Sequence, residues 1–303
     1  MDLLALERLL TERDLEAPEA HQSLVPEILT VLGLERENQY LDASVFDQLM
    51  TREVFQQRDE STRKSLFNIT ASLSRLWLCQ EHYGLKLWYK IHLDGGGISM
   101  AAPMLKYLRR RFPGRKFFKM LDWCAGPGFI GLIAQKEGLA EYLALLDISQ
   151  AAAECAARNI EANGLRKTRF YLSNNFAQLP SGEKFDLIIG NPPWTYQQSN
   201  YLNPRLSSDP GWKLHASFYE QVRPFLYPGG LVCLTCYEPY QTEVFLGEKQ
   251  STLYDRRPRP AAETFQEMIQ KAGLQFLEIA QPPELKRAHM GQGLHLILSQ
   301  NQE

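Results

Sequence analysis

No stretch of the 303-residue chain reaches eighteen consecutive apolar residues, so nothing in it reads as a transmembrane span. The opening Met1-Asp2-Leu3-Leu4-Ala5-Leu6-Glu7 brings acids at once and no basic start, unlike a secretory signal. Both absences lead to the expectation of a soluble, cytoplasmic protein with no membrane partner. An excess of one charge is missing too. Lys+Arg number 33 against 35 Asp+Glu, a formal net charge of −2, so no global field gathers a phosphodiester polymer around the chain. Cysteine is sparse: Cys79, Cys124, Cys155, Cys233 and Cys236 form an odd, scattered set, which excludes a disulfide framework. Cys233 and Cys236 have CxxC spacing, but they lie in the apolar run 231–237. In a strand that separation sends the two side chains to opposite faces, against a shared zinc or redox site. No His/Cys/Asp cluster has metal-ligand spacing, so no metal is expected.

What is present is the composition of a globular chain, 44% hydrophobic and 22% charged, and long enough for one large or two ordinary domains. Residues 1–84 carry helical spacing: Leu3, Leu6, Leu9 and Leu10; Val25, Ile28, Leu29 and Leu32; Val45, Phe46, Leu49 and Met50; and, from an N-cap at Ser61, Leu66, Ile69, Leu73, Leu76 and Trp77. Acids outnumber bases over residues 1–90, which suits a cap or docking domain better than a duplex clamp.

The period then changes to alternation over residues 85–93, broken by Asp94-Gly95-Gly96-Gly97 and followed by a helix from about Ser99 to Arg111. Arg109, Arg110, Arg111, Arg115 and Lys116 read as a solvated helix end. From Phe117 onward strands and helices alternate. Strands are expected at 117–122, 142–147, 168–172, 185–189 and 231–237, with helices at 129–136, 150–163 and 262–271. An antiparallel pair closes the chain at 274–279 and 294–298. Continuous apolar strands between helices predict an α/β sheet covered on both faces. Residues 195–212 read as a long loop over the carboxyl ends of the strands. The domains expected are therefore 1–84, helical, and 85–303, α/β.

Two motifs carry chemistry. Leu121-Asp-Trp-Cys-Ala-Gly-Pro-Gly-Phe129 leaves a strand and opens a helix, and its glycines let a ligand approach the backbone. Asp122 stands where it would repel a diphosphate but suit a cationic tail. The next strand ends in Asp147, placed to accept the two hydroxyls of a ribose. Two strand-end acids with glycines between them describe a pocket for a nucleoside with a positive amino-acid tail, such as S-adenosyl-L-methionine. The second motif, Ile189-Gly-Asn-Pro-Pro-Trp194, follows the fourth strand of the sheet. Two prolines stiffen the turn and cannot donate hydrogen bonds. Two oxygen acceptors, the Asn191 side chain and the Pro192 carbonyl, are thereby held beside an indole, which fits a planar amino group. Bonded to both hydrogens of such a group, they would localise electron density on its nitrogen for attack on a methyl.

With these motifs in place, the sequence resembles the class I S-adenosylmethionine-dependent methyltransferases that carry an asparagine-proline-proline-aromatic motif. That group includes the release-factor and ribosomal-protein glutamine methyltransferases and the adenine-N6 methyltransferases. The resemblance covers roughly residues 85–300. It implies a Rossmann-like, mostly parallel seven-stranded sheet with helices on both faces, an N-terminal helical domain, and the product S-adenosyl-L-homocysteine. It assigns Asp122, Cys124, Gly126, Gly128, Asp147, Ile148 (beside the adenine) and Asn174 (to the adenine amino group) to the cofactor. Asn191, Pro192 and Trp194 fall to catalysis and Pro193 to the acceptor side, where Tyr196 and, from a helix after the long loop, His215 and Tyr219 are also expected. Cys124 stands where the family usually has the first of three alternate glycines, and Asn174 where an acid is usual. The run Arg158-Asn-Ile-Glu-Ala-Asn163-Gly164 is similar to the end of the family's second helix.

The run 93–100 and the insertion 195–212 depart from the glutamine-modifying members on the acceptor side. The reading is therefore an N-methyltransferase acting on a small-molecule or peptide amino nitrogen. The alternatives are a protein glutamine, then an adenine base reached through a basic rim of Arg109 to Arg111 with Arg256, Arg257 and Arg259, and last a non-catalytic binding protein. The acidic balance argues against nucleic acid, and the oligomeric state is left open.

Overall fold

The computed structural model describes residues 3–11, 24, 27, 28, 30, 59–93, 97–193, 208–237, 261–286 and 294–302. The third expected helix (45–50), most of the second, Trp194, Tyr196 and the greater part of the 195–212 insertion lie outside the described residues.

Helix α1 (Leu3–Thr11) packs on α2 (Glu60–Arg75), burying Leu6 and Leu10 against Leu66, Ile69 and Leu73. Glu7 joins the two by accepting from Ser65 Oγ at 2.8 Å and Asn68 Nδ2 at 3.0 Å. The N-cap of α2 is Asp59, not Ser61. Its carboxylate takes the Thr62 N–H at 2.9 Å and also both neighbouring hydroxyls, a stronger cap than one hydroxyl can make.

The helix stops at Arg75, and Trp77, expected on it, opens a strand. Strand β1 (Trp77–His82) pairs antiparallel with β2 (Leu85–Lys90) around Tyr83-Gly84, whose φ values of 53° and 68° make the two-residue turn that matches strand twist. A division at residue 84 therefore passes through a hairpin. The hairpin and α2 also share one buried cluster with a face of the sheet. After β2 the chain forms a single 3₁₀ turn, Ile91–Leu93, where alternation had suggested more strand.

The α/β part follows the expected order: α3 (Gly97–Arg111), β3 (Phe117–Trp123), α4 (Phe129–Lys136), β4 (Ala140–Asp147), α5 (Gln150–Ala162), β5 (Thr168–Leu172), β6 (Phe185–Gly190), α6 (Lys213–Val222), β7 (Leu226–Tyr237), α7 (Ala261–Lys271), β8 (Gln275–Ala280), α8 (Pro283–Lys286) and β9 (Leu294–Gln300). The seven strands lie in the order β5-β4-β3-β6-β7-β9-β8, with β9 antiparallel to both neighbours and the rest parallel.

Alternation along each strand feeds two cores. Met120, Leu143, Leu145, Leu187, Ile189 and Cys233 face one layer, while Leu121, Trp123, Leu146, Ile188, Val232 and Cys236 face the other. Cys233 and Cys236 thus stand on opposite faces of β7, as their spacing requires, and both are free thiols. β3 has β4 on one side and β6 on the other, so the chain reverses its winding there. In open α/β sheets this switch point is where ligands bind, beyond the carboxyl ends of the strands. Among the described residues, no helix is long and apolar enough to cross a membrane.

Candidate active site

The loop from Cys124 to Gly128 sits at that switch point. Cys124, Gly126 and Gly128 all have left-handed φ, 55°, 53° and 88°. Glycine reaches this region without strain, and Cys124 holds it with a side chain. A Cβ on Gly128 would also lie 2.7 Å from Leu145 Cδ1, so a side chain there would displace the Leu145 tip as well as strain the backbone.

Backbone groups fix the loop further. Ala125 N–H donates to the Leu146 carbonyl at 3.0 Å, and Gly128 N–H to the Ala125 carbonyl at 2.8 Å. Asp147 accepts the Gly126 N–H on Oδ2 at 2.8 Å and the Ser149 N–H on Oδ1 at 2.9 Å. A carboxylate offers about four acceptor positions, so acceptor capacity for a hydroxyl remains. Burial raises its pKa, and the Gly126, Ser149 and Ile148 N–H groups oppose that rise.

Asp122 lies beneath the loop, fully buried. Its Oδ2 accepts the Gly131 N–H of α4 at 2.8 Å, and its Oδ1 has no hydrogen-bond partner. Burial pushes its pKa up to about 7; the Gly131 N–H opposes this, and Asp147 adds to it. Gly131 is a residue the sequence reading passed over. A Cβ there would be 2.9 Å from the Asp122 side chain, so α4 can approach the acid only with glycine.

Ile148 and Leu172 follow as an exposed apolar pair at neighbouring strand ends, 70% and 45% accessible. Two adjacent asparagines then divide their duties. Asn174 is exposed, whereas Asn175 is buried, accepting from Trp123 Nε1 at 3.0 Å and donating to Ser217 Oγ at 2.9 Å. Cys124 is surrounded by burial and the carboxylates of Asp147, Asp122 and Asp209, which drive its thiol pKa up and leave it a poor nucleophile.

Asn191, Pro192 and Pro193 leave the end of β6 beside this loop, since β6 pairs with β3 up to Trp123 against Gly190. Asn191 is tied from the other side. The Thr235 hydroxyl on β7 donates to Asn191 Oδ1 at 2.8 Å. Thr235 is fully buried and was not singled out in the sequence, because its role depends on β7 lying next to β6.

His215 and Tyr219, expected to face the acceptor, are instead core residues. His215 Nδ1 meets Asp209 Oδ2 at 2.7 Å, and its ring stands edge-on to Trp123, Trp212 and Phe265. Tyr219 packs against Phe218 and Phe265. The inward face of α6 has to fill the space over β3, β6 and β7, and these rings do so. Burial opposes the charge of Asp209, but His215 and the Leu214 and His215 N–H groups outweigh it and hold the carboxyl below its ordinary pKa.

Residues 103–208 match the family model described as "Methyltransferase small domain". The chain is 38% identical over 122 residues to the ribosomal protein uL3 glutamine methyltransferase of Francisella tularensis, covering 37% of this chain and 38% of that protein. It is 31% identical over 144 residues to the ribosomal RNA large subunit methyltransferase I of Erwinia tasmaniensis, covering 45% and 34% respectively. The fold is that of a class I S-adenosylmethionine-dependent methyltransferase. Among solved structures, the N-methyltransferase NodS of Bradyrhizobium japonicum WM9 in complex with S-adenosyl-L-homocysteine superposes with a TM-score of 0.46 at 16% identity. The superposition covers 71% of this chain and 92% of that one. In this methyltransferase fold, the matched segment of the chain runs from α3 through the cofactor-type loop to the Asn191-Pro192-Pro193 turn.

Proposed function

We propose that the chain transfers a methyl group from S-adenosylmethionine to a planar, amide-type nitrogen, and that the acceptor is a protein or peptide amide. The observation that carries this reading is the pairing of β3 with β6. It starts the glycine loop and the Asn191-Pro-Pro turn at the same height on adjacent strands, which parallel pairing holds about 4.8 Å apart.

The residues present suit the cofactor. Asp147 keeps acceptor capacity for a ribose, Ile148 and Leu172 offer apolar surface to an adenine ring, and Asn174 stands exposed beside them. A cationic tail over the loop would favour the ionised form of Asp122, whose Oδ1 lacks a partner. When bound, the cofactor supplies a methyl group on a sulfonium, an electrophile that needs no metal. The remaining work falls to this chain. Asn191 Oδ1 and the Pro192 carbonyl accept the two hydrogens of an amide NH2 and draw its lone pair back onto nitrogen. Trp194 follows them directly in sequence and supplies an aromatic plane. Proline stiffness fixes the acceptors before the substrate arrives, so alignment costs little at the moment of transfer. Once methylated, the amide nitrogen is acidic, and water takes its proton.

Two supports favour a protein amide. Relatives that share part of this chain's sequence are named as glutamine methyltransferases. The basic end of α3 is engaged within the molecule: Arg109 holds Glu137, Arg111 holds Glu278 at 2.6 Å, and Arg115 reaches the Gly229 carbonyl. A second reading, an amino group on a nucleic-acid base, rests on the match to a ribosomal RNA methyltransferase. Net charge alone therefore does not exclude nucleic acid, as the composition had suggested.

Labelled S-adenosylmethionine offered with ribosomal protein uL3, a release factor or ribosomal RNA separates the readings. Label on a glutamine side chain is expected. Label on RNA would establish the second reading, and label only in the low-mass fraction of an extract would establish a small-molecule acceptor. Asn191→Ala should lower turnover about 10²-fold while leaving S-adenosylhomocysteine affinity within about twofold.

A further inference from the structure

Helix α5 carries two asparagines one turn apart, Asn159 and Asn163, and both treat the edge strand β2 as a neighbouring strand would. Asn163 Oδ1 accepts the Lys86 N–H at 2.8 Å, and its Nδ2 donates to the Lys86 carbonyl at 2.8 Å. Asn159 does the same at Trp88, accepting the N–H at 2.5 Å and donating to the carbonyl at 2.9 Å. Positions i and i+4 on a helix thus match i and i+2 on the strand. The outer side of the junction is closed by Arg158, whose guanidinium lies 4.9 Å from the Trp77 ring centre and 4.5 Å from that of Trp88.

The two asparagines differ in one respect. Asn159, fully buried, also donates from Nδ2 to the Pro127 carbonyl at 3.0 Å, inside the glycine loop. Two other contacts reach from the hairpin region to the same loop. A Cβ on Gly126 would lie 3.3 Å from the Leu93 carbonyl, and Tyr89 packs edge-on to Phe129 at 5.3 Å. On its far side the hairpin continues into the helices, because the Lys90 ammonium caps the Arg75 carbonyl at the end of α2 at 2.5 Å.

We infer that Asn159 is a positioning residue that couples the N-terminal hairpin to the cofactor loop, so that cofactor binding and hairpin order reinforce each other. The physical reason is that the buried Pro127 carbonyl stays turned inward because the Asn159 amide meets it. With that carbonyl held on Asn159, the loop keeps the shape in which Gly126 N–H reaches Asp147. Without that donor, a buried carbonyl is left unpaired and the peptide turns toward solvent. A ligand that needs the formed loop therefore favours the clamped hairpin, and by linkage a clamped hairpin raises affinity for that ligand. This rests on the cofactor reading above and extends it to the segment that joins the N-terminal helices to the sheet.

The test uses S-adenosylhomocysteine and the full chain, with calorimetric affinity and backbone amide exchange as readouts. Saturating ligand should slow exchange of the Trp88 and Lys86 amides severalfold in the wild type. Asn159→Ala should weaken the affinity about tenfold and abolish that slowing. Asn163→Ala removes a clamp of the same kind that does not touch the loop. It should lower thermal stability comparably yet keep affinity within about twofold, along with the ligand-dependent slowing at Trp88. Equal affinity losses in the two variants, or ligand binding in the wild type without any change at Trp88, would overturn the coupling. If Asn159→Ala does not fold, the wild-type exchange result decides alone. Failure of the wild type to bind S-adenosylhomocysteine would instead overturn the cofactor reading itself.

Discussion

The loop after β3 and the turn after β6 begin side by side, yet they are held in different ways. The first is tied by hydrogen bonds at successive peptides: Ala125 to Leu146, Gly126 to Asp147, Pro127 to Asn159 and Gly128 to Ala125. The second draws its stiffness from two covalent rings, Pro192 and Pro193, and from one side-chain tether, Thr235 on Asn191. The contrast follows from what each must do. A loop that wraps a ligand needs backbone N–H and C=O groups in defined directions, which only partners elsewhere in the fold can set. A turn that offers oxygen acceptors gains from having no donors of its own, which proline provides.

This contrast can be broken at its strongest point first. Asp147→Ala removes both the anchor of Gly126 and the expected ribose contact, so S-adenosylhomocysteine affinity should fall about 10²- to 10³-fold. Circular dichroism should stay native, and unchanged affinity would detach Asp147 from the ligand.

A smaller effect belongs to Asp122. Its folded pKa, about 7, lies above the 3.8 of an exposed carboxyl, so the folded state holds a proton that the unfolded state has released. Its contribution is complete below pH 4, declines as pH rises and is gone once the pH passes 7. Between pH 5 and pH 8 the loss is on the order of 3 kcal/mol. Asp122→Asn keeps a neutral side chain at all pH values. Denaturant melts should show the stability difference moving in favour of the variant as the pH rises from 5 to 8. Parallel wild-type and variant curves across that range would refute the shift.

The smallest effect is expected on the turn. Thr235→Val keeps the side-chain shape but removes the hydroxyl bond to Asn191 Oδ1, and turnover on the acceptor identified as above should fall about tenfold with cofactor affinity unchanged. Thr235→Ser should restore it. Equal rates in all three proteins would leave proline stiffness as sufficient.

The legible part of the molecule was the part written in runs. Strands β3 to β7 and helices α4 and α5 are continuous apolar or periodic segments, and each stands within a few residues of its expected place. The places of Asp122, Gly126, Gly128, Asp147 and Asn191 were readable because each lies at or shortly past the end of a strand. What escaped depended on partners distant in sequence. Trp77 looks helical by spacing, and only the Tyr83-Gly84 turn makes it a strand residue. His215 and Tyr219 carry polar atoms that suggest a pocket, but the Asp209 carboxylate and the rings over β3 claim that face of α6 for packing. Thr235 has no local signature at all, and the family-like run 158–164 marked Asn159 only as part of a helix end. Their duties exist because β7 lies against β6, and because α5 lies against the hairpin, 71 residues away from Trp88.

The Asp209–His215 pair has a wider consequence. It fixes the chain at the start of α6, a short interval in sequence past the Pro192-Pro193 step. A connection with both mouths anchored can change length and composition at little thermodynamic cost, since closure entropy grows only logarithmically with the number of residues. Evolution can therefore retarget such a scaffold toward new molecules by rewriting that one interval, leaving the donor half of the chemistry untouched.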